Sequence, residues 1–69
     1  MRTITVAEGT ATVKINRSRA DVHHRGHYIG RLTRLSNGLW RDLARPHLLF
    51  TSPAEAAEDL VDLAAGASA

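Results

Sequence analysis

The segment Ser52-Pro53-Ala54-Glu55, with the residues after it, constrains this chain more than any other feature. Ser-x-x-Glu is a capping box: the serine oxygen is placed to accept from the backbone N–H of Glu55, and the Glu55 side chain to reach back to the N–H of Ser52. Pro53 then takes the first helical position, where its missing N–H costs nothing and its fixed φ suits a helix. At about 100° per residue, Ala56, Ala57, Leu60, Val61, Leu63 and Ala64 fall on one side of this helix, and Glu55, Glu58, Asp59 and Asp62 on the other. Gly66 is a natural stop. The spacing predicts a helix over residues 53–65, with Leu60 and Leu63 buried and residues 67–69 frayed. Such an apolar stripe must be covered, and a chain of 69 residues has one domain to do it with.

The remainder reads as strands. Thr3-Ile4-Thr5-Val6 and Thr12-Val13-Lys14-Ile15 alternate with period two and are rich in β-branched residues, and Glu8-Gly9 offers a turn between them. Residues 16–27 read as a basic loop, because Asn16, Arg17, Ser18 and Arg19 are polar and Gly26 breaks any helix begun at Ala20. Residues 28–35 form a further strand. Asn37-Gly38 then signals a two-residue type I′ hairpin, with a return strand from Leu39 to about Ala44. Pro46 cannot donate to a ladder and ends that pairing, leaving residues 47–50 as a short last strand. The expected fold is α+β: a small antiparallel sheet of three to five strands with one amphipathic C-terminal helix packed on one face and the other face open. The divisions are residues 1–16 (first hairpin), 17–27 (basic loop), 28–50 (central hairpin and short strand) and 53–65 (helix).

Composition excludes several classes. There is no cysteine, hence no disulfide and no thiolate metal site. No apolar run is long enough to span a bilayer, and the alternating N-terminus is no signal peptide, so a cytoplasmic setting without membrane attachment is expected. The many arginines beside the single Lys14 fit a GC-rich coding sequence, such as that of an actinobacterium or its phage. The serines lie in no nucleophile motif and the carboxylates read as solvated charges, so no enzyme activity and no cofactor are expected. His23-His24-Arg25-Gly26-His27 puts three imidazoles in one run. His23 and His27 would share a face in a helix, a metal-ligand spacing, but Gly26 opposes a helix and no carboxylate or cysteine completes a ligand set.

Charge is the informative quantity. Every Lys and Arg precedes residue 46, opposed there only by Glu8, Asp21 and Asp42, while the charges after Pro46 are all acidic. Residues 1–50 therefore carry about +6 and the remainder about −4 in a chain whose formal net charge is +2. Arg31, Arg34, Arg41 and Arg45 lie on or beside the central hairpin, and Arg17, Arg19 and Arg25 in the basic loop. Arginine's planar fork suits phosphates and guanine edges, and Thr33 could add a phosphate contact. The register opposes a uniformly basic face: a two-residue turn at Asn37-Gly38 sets Arg31 opposite to Arg34 and Arg41. Trp40 is expected in the core.

The order Tyr28-x-Gly30, Arg34, Gly38-x-Trp40, Phe50 and Thr51/Ser52-x-x-Glu55-Ala56-Ala57 resembles the three-stranded DNA-binding domain of plant ethylene-response factors and the arm-site-binding domain of phage integrases. The resemblance covers residues 28–65 and implies a sheet laid in the major groove with a helix behind it. By position it makes Gly30 and Arg34 groove-facing, and Trp40 and Ala56 core. Leu32 stands where that family has a groove-facing arginine, Arg31 where it has a buried valine, and the link from Trp40 to Phe50 is short. The expected partner is nucleic acid, duplex DNA first. The alternative is a protein-interaction module, such as a small phage or host regulator that docks on another protein. Self-association fits either.

Overall fold

The computed structural model describes residues 1–67; Ser68 and Ala69, part of the tail expected to fray, lie outside the described residues. Six strands run in chain order: β1 (Arg2–Val6), β2 (Ala11–Asn16), β3 (Arg19–His24), β4 (His27–Arg34), β5 (Trp40–Asp42) and β6 (Arg45–Phe50). The α-helix α1 (Pro53–Ala67) follows, and a short 3-10 turn (Ala7–Gly9) links β1 to β2. Each strand pairs antiparallel with the next, so the sheet is an uninterrupted meander with β1 and β6 at its edges. The helix crosses one face and touches every strand. The result is a two-layer slab with extents of 35 × 26 × 16 Å.

The fold class is as expected, but the sheet exceeds three to five strands, and the extra one is β3. Residues 17–27 are not a loop. Asn16 pairs with Arg19 around a two-residue turn in which Arg17 has φ 59°. His24 pairs with His27 around Arg25 and Gly26, whose φ values of 52° and 84° are both positive. Positive φ at both central residues is the type I′ signature. Gly26, which rules out a helix here, instead closes a hairpin. The alternation of Ala20 and Val22, both buried, with Arg19, Asp21 and His23 is the strand signal in this stretch.

Conversely, Asn37-Gly38 is not a two-residue turn. The N–H of Gly38 donates to the Leu35 carbonyl at 3.0 Å, and that of Leu35 to the Leu39 carbonyl at 2.7 Å. Gly38 has φ 86°. The loop is the three residues 36–38, a turn followed by a left-handed glycine, and the Asn37 side chain accepts from the Leu39 N–H at 3.1 Å. Arg34 therefore faces Trp40, and Thr33 faces Arg41. Pro46 does not end the pairing either. It sits inside β6, at the sheet edge, where an unpaired N–H position tolerates proline.

The core lies between helix and sheet: Val6, Ala11, Val13, Ala20, Val22, Leu32 and Trp40 beneath Ala56, Ala57 and Leu60. Trp40 and Ala56 are buried, at 6% and 0% exposure. Leu63 is not; it is 47% exposed, because it lies about a quarter-turn from the middle of the stripe formed by Ala56, Ala57, Leu60 and Ala64. The helix also runs past Gly66. Its start is capped: the Glu55 N–H donates to Ser52 Oγ at 3.1 Å. The Glu55 carboxylate accepts from the Thr51 hydroxyl at 3.3 Å and does not return to the Ser52 backbone. Ser52→Ala is expected to lower stability by about 0.5–2 kcal/mol in chemical denaturation.

Helix and sheet approach most closely at Gly30. A Cβ there would lie 3.0 Å from Leu60 Cδ1 and 3.3 Å from Cδ2. Gly30→Ala gains about 0.4–1 kcal/mol through the unfolded chain but overpacks at a typical cost of about 1–3 kcal/mol, so a net loss is expected. In a Leu60→Val background the offending carbons are gone, and Gly30→Ala should become neutral or mildly stabilising. A double-mutant cycle in urea measures that coupling.

Candidate functional site

With the helix on one side, strand pleating assigns every residue of the other. Three cross-strand rows make up the open face. One reads Thr5, Thr12, His23, Tyr28; the next Thr3, Lys14, Asp21, Arg31, with Leu43 beyond β5 at its end; the third Asn16, Arg19, Thr33, Arg41, Leu49. The face thus carries Lys14, Arg19, Arg31 and Arg41 against one carboxylate, Asp21. The acidic side chains Glu55, Glu58 and Asp62 are exposed on the helix, in the other layer.

Each cation has a distinct setting. Arg31 donates through Nε to Asp21 Oδ1 at 2.9 Å, directly across the strand pair. That hydrogen bond and the carboxylate's charge, with a smaller contribution from Tyr28, raise the guanidinium pKa above its ordinary value. Arg41 is partly buried, makes no ion pair among the described residues, and its Nε is buried without a hydrogen-bond partner. Lys14 and Arg19 are exposed. Tyr28 is 56% exposed and packs edge-on to His23, with ring centroids 5.6 Å apart. Thr33 donates its hydroxyl to the Ser18 carbonyl at 3.3 Å, which leaves its oxygen free to accept.

The other expected site residues lie elsewhere. Gly30 is under the helix against Leu60 and cannot face a partner. Arg34 pairs with Trp40 and so belongs to the helix side, exposed at its end. Arg17 is in the β2–β3 turn beside that end, and Arg25 is exposed in the β3–β4 turn at the opposite end. Arg45 is structural. Its Nε donates to Asp42 Oδ2 at 2.9 Å, its second guanidinium nitrogen bonds Asp59 of the helix, and Asp42 Oδ1 accepts from the Ala44 N–H at 2.9 Å. Burial alone would lower the Arg45 pKa, but the hydrogen bonds and charges of Asp42 and Asp59 outweigh it and raise the value. Lys14, His23 and Tyr28 were not among the expected contacts. The signal for Lys14 was present, since Thr12-Val13-Lys14-Ile15 alternates and buried Val13 puts Lys14 on the other side.

The histidine run divides between faces: His23 lies on the open one, and His24, opposite Ala11, on the helix side. No group of three or more His, Asp or Glu side chains converges among the described residues. No helix among them is long and apolar enough to cross a membrane. No protein-family model, curated protein or solved structure matches the chain significantly. The resemblance to the three-stranded DNA-binding domains makes Gly30 and Arg34 groove-facing, whereas both lie on the helix side of a six-stranded sheet.

Asp42 is 1% exposed and depends on Arg45 for its neutralisation. Leaving a buried carboxylate alone costs about 3–5 kcal/mol, but Arg45 is 22% exposed, so Arg45→Gln is expected to lose about 2–3 kcal/mol. Thermal denaturation gives the loss, and any nucleic-acid affinity of the variant measured below its transition should match the parent.

Proposed function

We propose that this domain binds nucleic acid on its open sheet face, with Lys14, Arg19, Arg31 and Arg41 meeting phosphates and Tyr28 offering a stacking surface. The observation that carries this is the convergence of Arg31 and Arg41 on one exposed face with Arg19 and Lys14. A surface made for a protein partner would be expected to expose a continuous leucine patch, whereas the two exposed leucines here, Leu43 and Leu49, each stand across from an arginine, Arg31 and Arg41.

Dimensions favour a single strand over a duplex groove. Six strands at about 4.8 Å spacing make a sheet roughly 24 Å across, twice the roughly 12 Å width of a major groove. An open sheet with rows of cations, hydroxyls and one exposed aromatic suits unstacked bases and a flexible backbone. Arg31 exchanges its Asp21 partner for phosphate at little net gain, whereas Arg41 has no ion-pair partner among the described residues to give up. Arg41 is therefore the residue on which affinity should depend most. The proposal includes a cytoplasmic setting and needs no cofactor.

The test is a titration of 5′-hydroxyl single strands and of duplex at several salt concentrations. Four phosphate contacts on a single strand predict a slope of log K against log salt of about −2.8. Arg41→Ala should lower that slope by about 0.7, and Tyr28→Ala should cost about 1–3 kcal/mol of affinity. Absence of binding to either form at low salt would remove the proposal and turn attention to a protein partner.

A further inference from the structure

Beyond the end of the helix-covered face, where α1 begins, lies an open cavity of about 450 Å³ lined by Met1, Arg2, Ile15, Arg17, Arg34, Trp40 and Pro53. The register explains its composition. Arg2 pairs with Ile15, and Arg34 with Trp40, so all four project on the helix side, while Arg17 enters from the β2–β3 turn. The helix that would cover them starts only at Pro53, so this corner of the face has cations where the core would otherwise continue.

Three features give the cavity its chemistry. Arg2, Arg17 and Arg34 are all exposed, none is ion-paired among the described residues, and no carboxylate lines the cavity. The helix N-terminus at Pro53 adds its partial positive charge on the same side. The floor, by contrast, is apolar: Ile15, Trp40 and Pro53. Three guanidinium forks around an apolar floor suit an anion of more than one charge attached to a flat organic body. They suit a phosphate diester less well, because it carries one charge and cannot bring its third and fourth oxygens inward. The volume lies within the range of small-molecule sites.

We infer that this cavity recognises a phosphate monoester carried on a nucleoside, either a free nucleotide or the phosphorylated 5′ end of a strand. The two sources share the recognised group. The inference rests on the proposed function only where the phosphate arrives on a strand, because the cavity and the open sheet face use different residues.

The experiment is a titration, followed by Trp40 fluorescence and by NMR, with adenosine 5′-monophosphate and with adenosine. Matched single strands with and without a 5′-phosphate form the second arm. The nucleotide should perturb Trp40 and adenosine should not. Arg2→Gln and Arg34→Gln should each weaken nucleotide binding about tenfold, the loss of one charge-assisted contact. Arg25→Gln, in the β3–β4 turn at the opposite end of the sheet, should leave it unchanged. A 5′-phosphate should tighten strand binding about tenfold in the parent and not in Arg34→Gln. Nucleotide binding without any strand binding would uphold the cavity as a mononucleotide site and remove the sheet-face proposal. Strand binding that ignores the 5′-phosphate, together with no response to the nucleotide, would overturn the cavity inference alone. All three arginines are exposed, so the variants should fold, and their circular dichroism serves as the check.

Discussion

The packing of Leu60 on Gly30 sets the architecture. A helix lies this close to a sheet only where small residues line both surfaces, and this one does: Ala56 and Ala57 from above, Ala11, Ala20 and Gly30 from below, all but Gly30 essentially inaccessible to water. Close approach lets a helix of fifteen residues reach all six strands, so most of the large apolar side chains are spent on one interface. The largest fully buried side chains are only Leu32, Val13, Val22 and Asp42. What is apolar on the second sheet face is Tyr28, Leu43 and Leu49, and strand alternation otherwise delivers mainly threonines and cations there. The charge separation between layers is thus a consequence of how the core is made, since a two-layer fold this small has only one inside.

Much of this is legible in the sequence, and the illegible parts have physical causes. The helix is written in local chemistry: a cap, a proline and an apolar period of about 3.6 residues. Strand β3 is harder to see because its inward residues begin with Ala20, whose small side chain is a weak marker of burial, and because Gly26 serves as well to break a helix as to turn a hairpin. The faces of Arg31, Arg34 and Arg41 hinge on a single residue of loop length. A two-residue turn would put Arg34 with Arg41; the three-residue loop puts Thr33 opposite Arg41 and moves Arg41 to the side of Arg31. A one-residue slip inverts every side chain beyond it, and the choice between the two loops is made by strand twist and by the burial of Trp40 and Leu32 rather than by Asn37-Gly38 itself.

Formal charge overstates what a partner would meet. Arg45 is consumed in joining Asp42 of the sheet to Asp59 of the helix, and Arg31 is compensated by Asp21. Removing these two from the count changes the picture from a generally basic chain to two local groups of three cations, with Arg25 apart in the β3–β4 turn. Lys14, Arg19 and Arg41 lie on the open face; Arg2, Arg17 and Arg34 lie around the end of the covered one. The same residue type serves opposite ends in the two settings. At Arg45 the guanidinium satisfies a carboxylate that burial would otherwise make costly, and at Arg41 and Arg34 no carboxylate among the described residues pairs with it.

The two groups are adjacent, which bears on whether they are two sites or parts of one. The row with Asn16, Arg19, Thr33 and Arg41 is the last row of the open face at the end where the β2–β3 turn sits, and that turn holds Arg17, which also lines the cavity. Arg34 follows Thr33 directly in β4, so the strand presents its hydroxyl to one face and its guanidinium to the other. A polyanion lying along this row would meet Arg41 and Arg19 in turn, reach the sheet end at the β2–β3 turn, and find Arg17 there and Arg2 and Arg34 beyond it. A polyanion can continue past that edge as well as along the flat face: the next row inward holds Lys14 and Arg31 with Asp21, and the route over the edge meets no carboxylate among the described residues. A strand whose terminal phosphate lodged in the cavity would therefore have its polarity fixed on the sheet, which a uniform row of cations could not do.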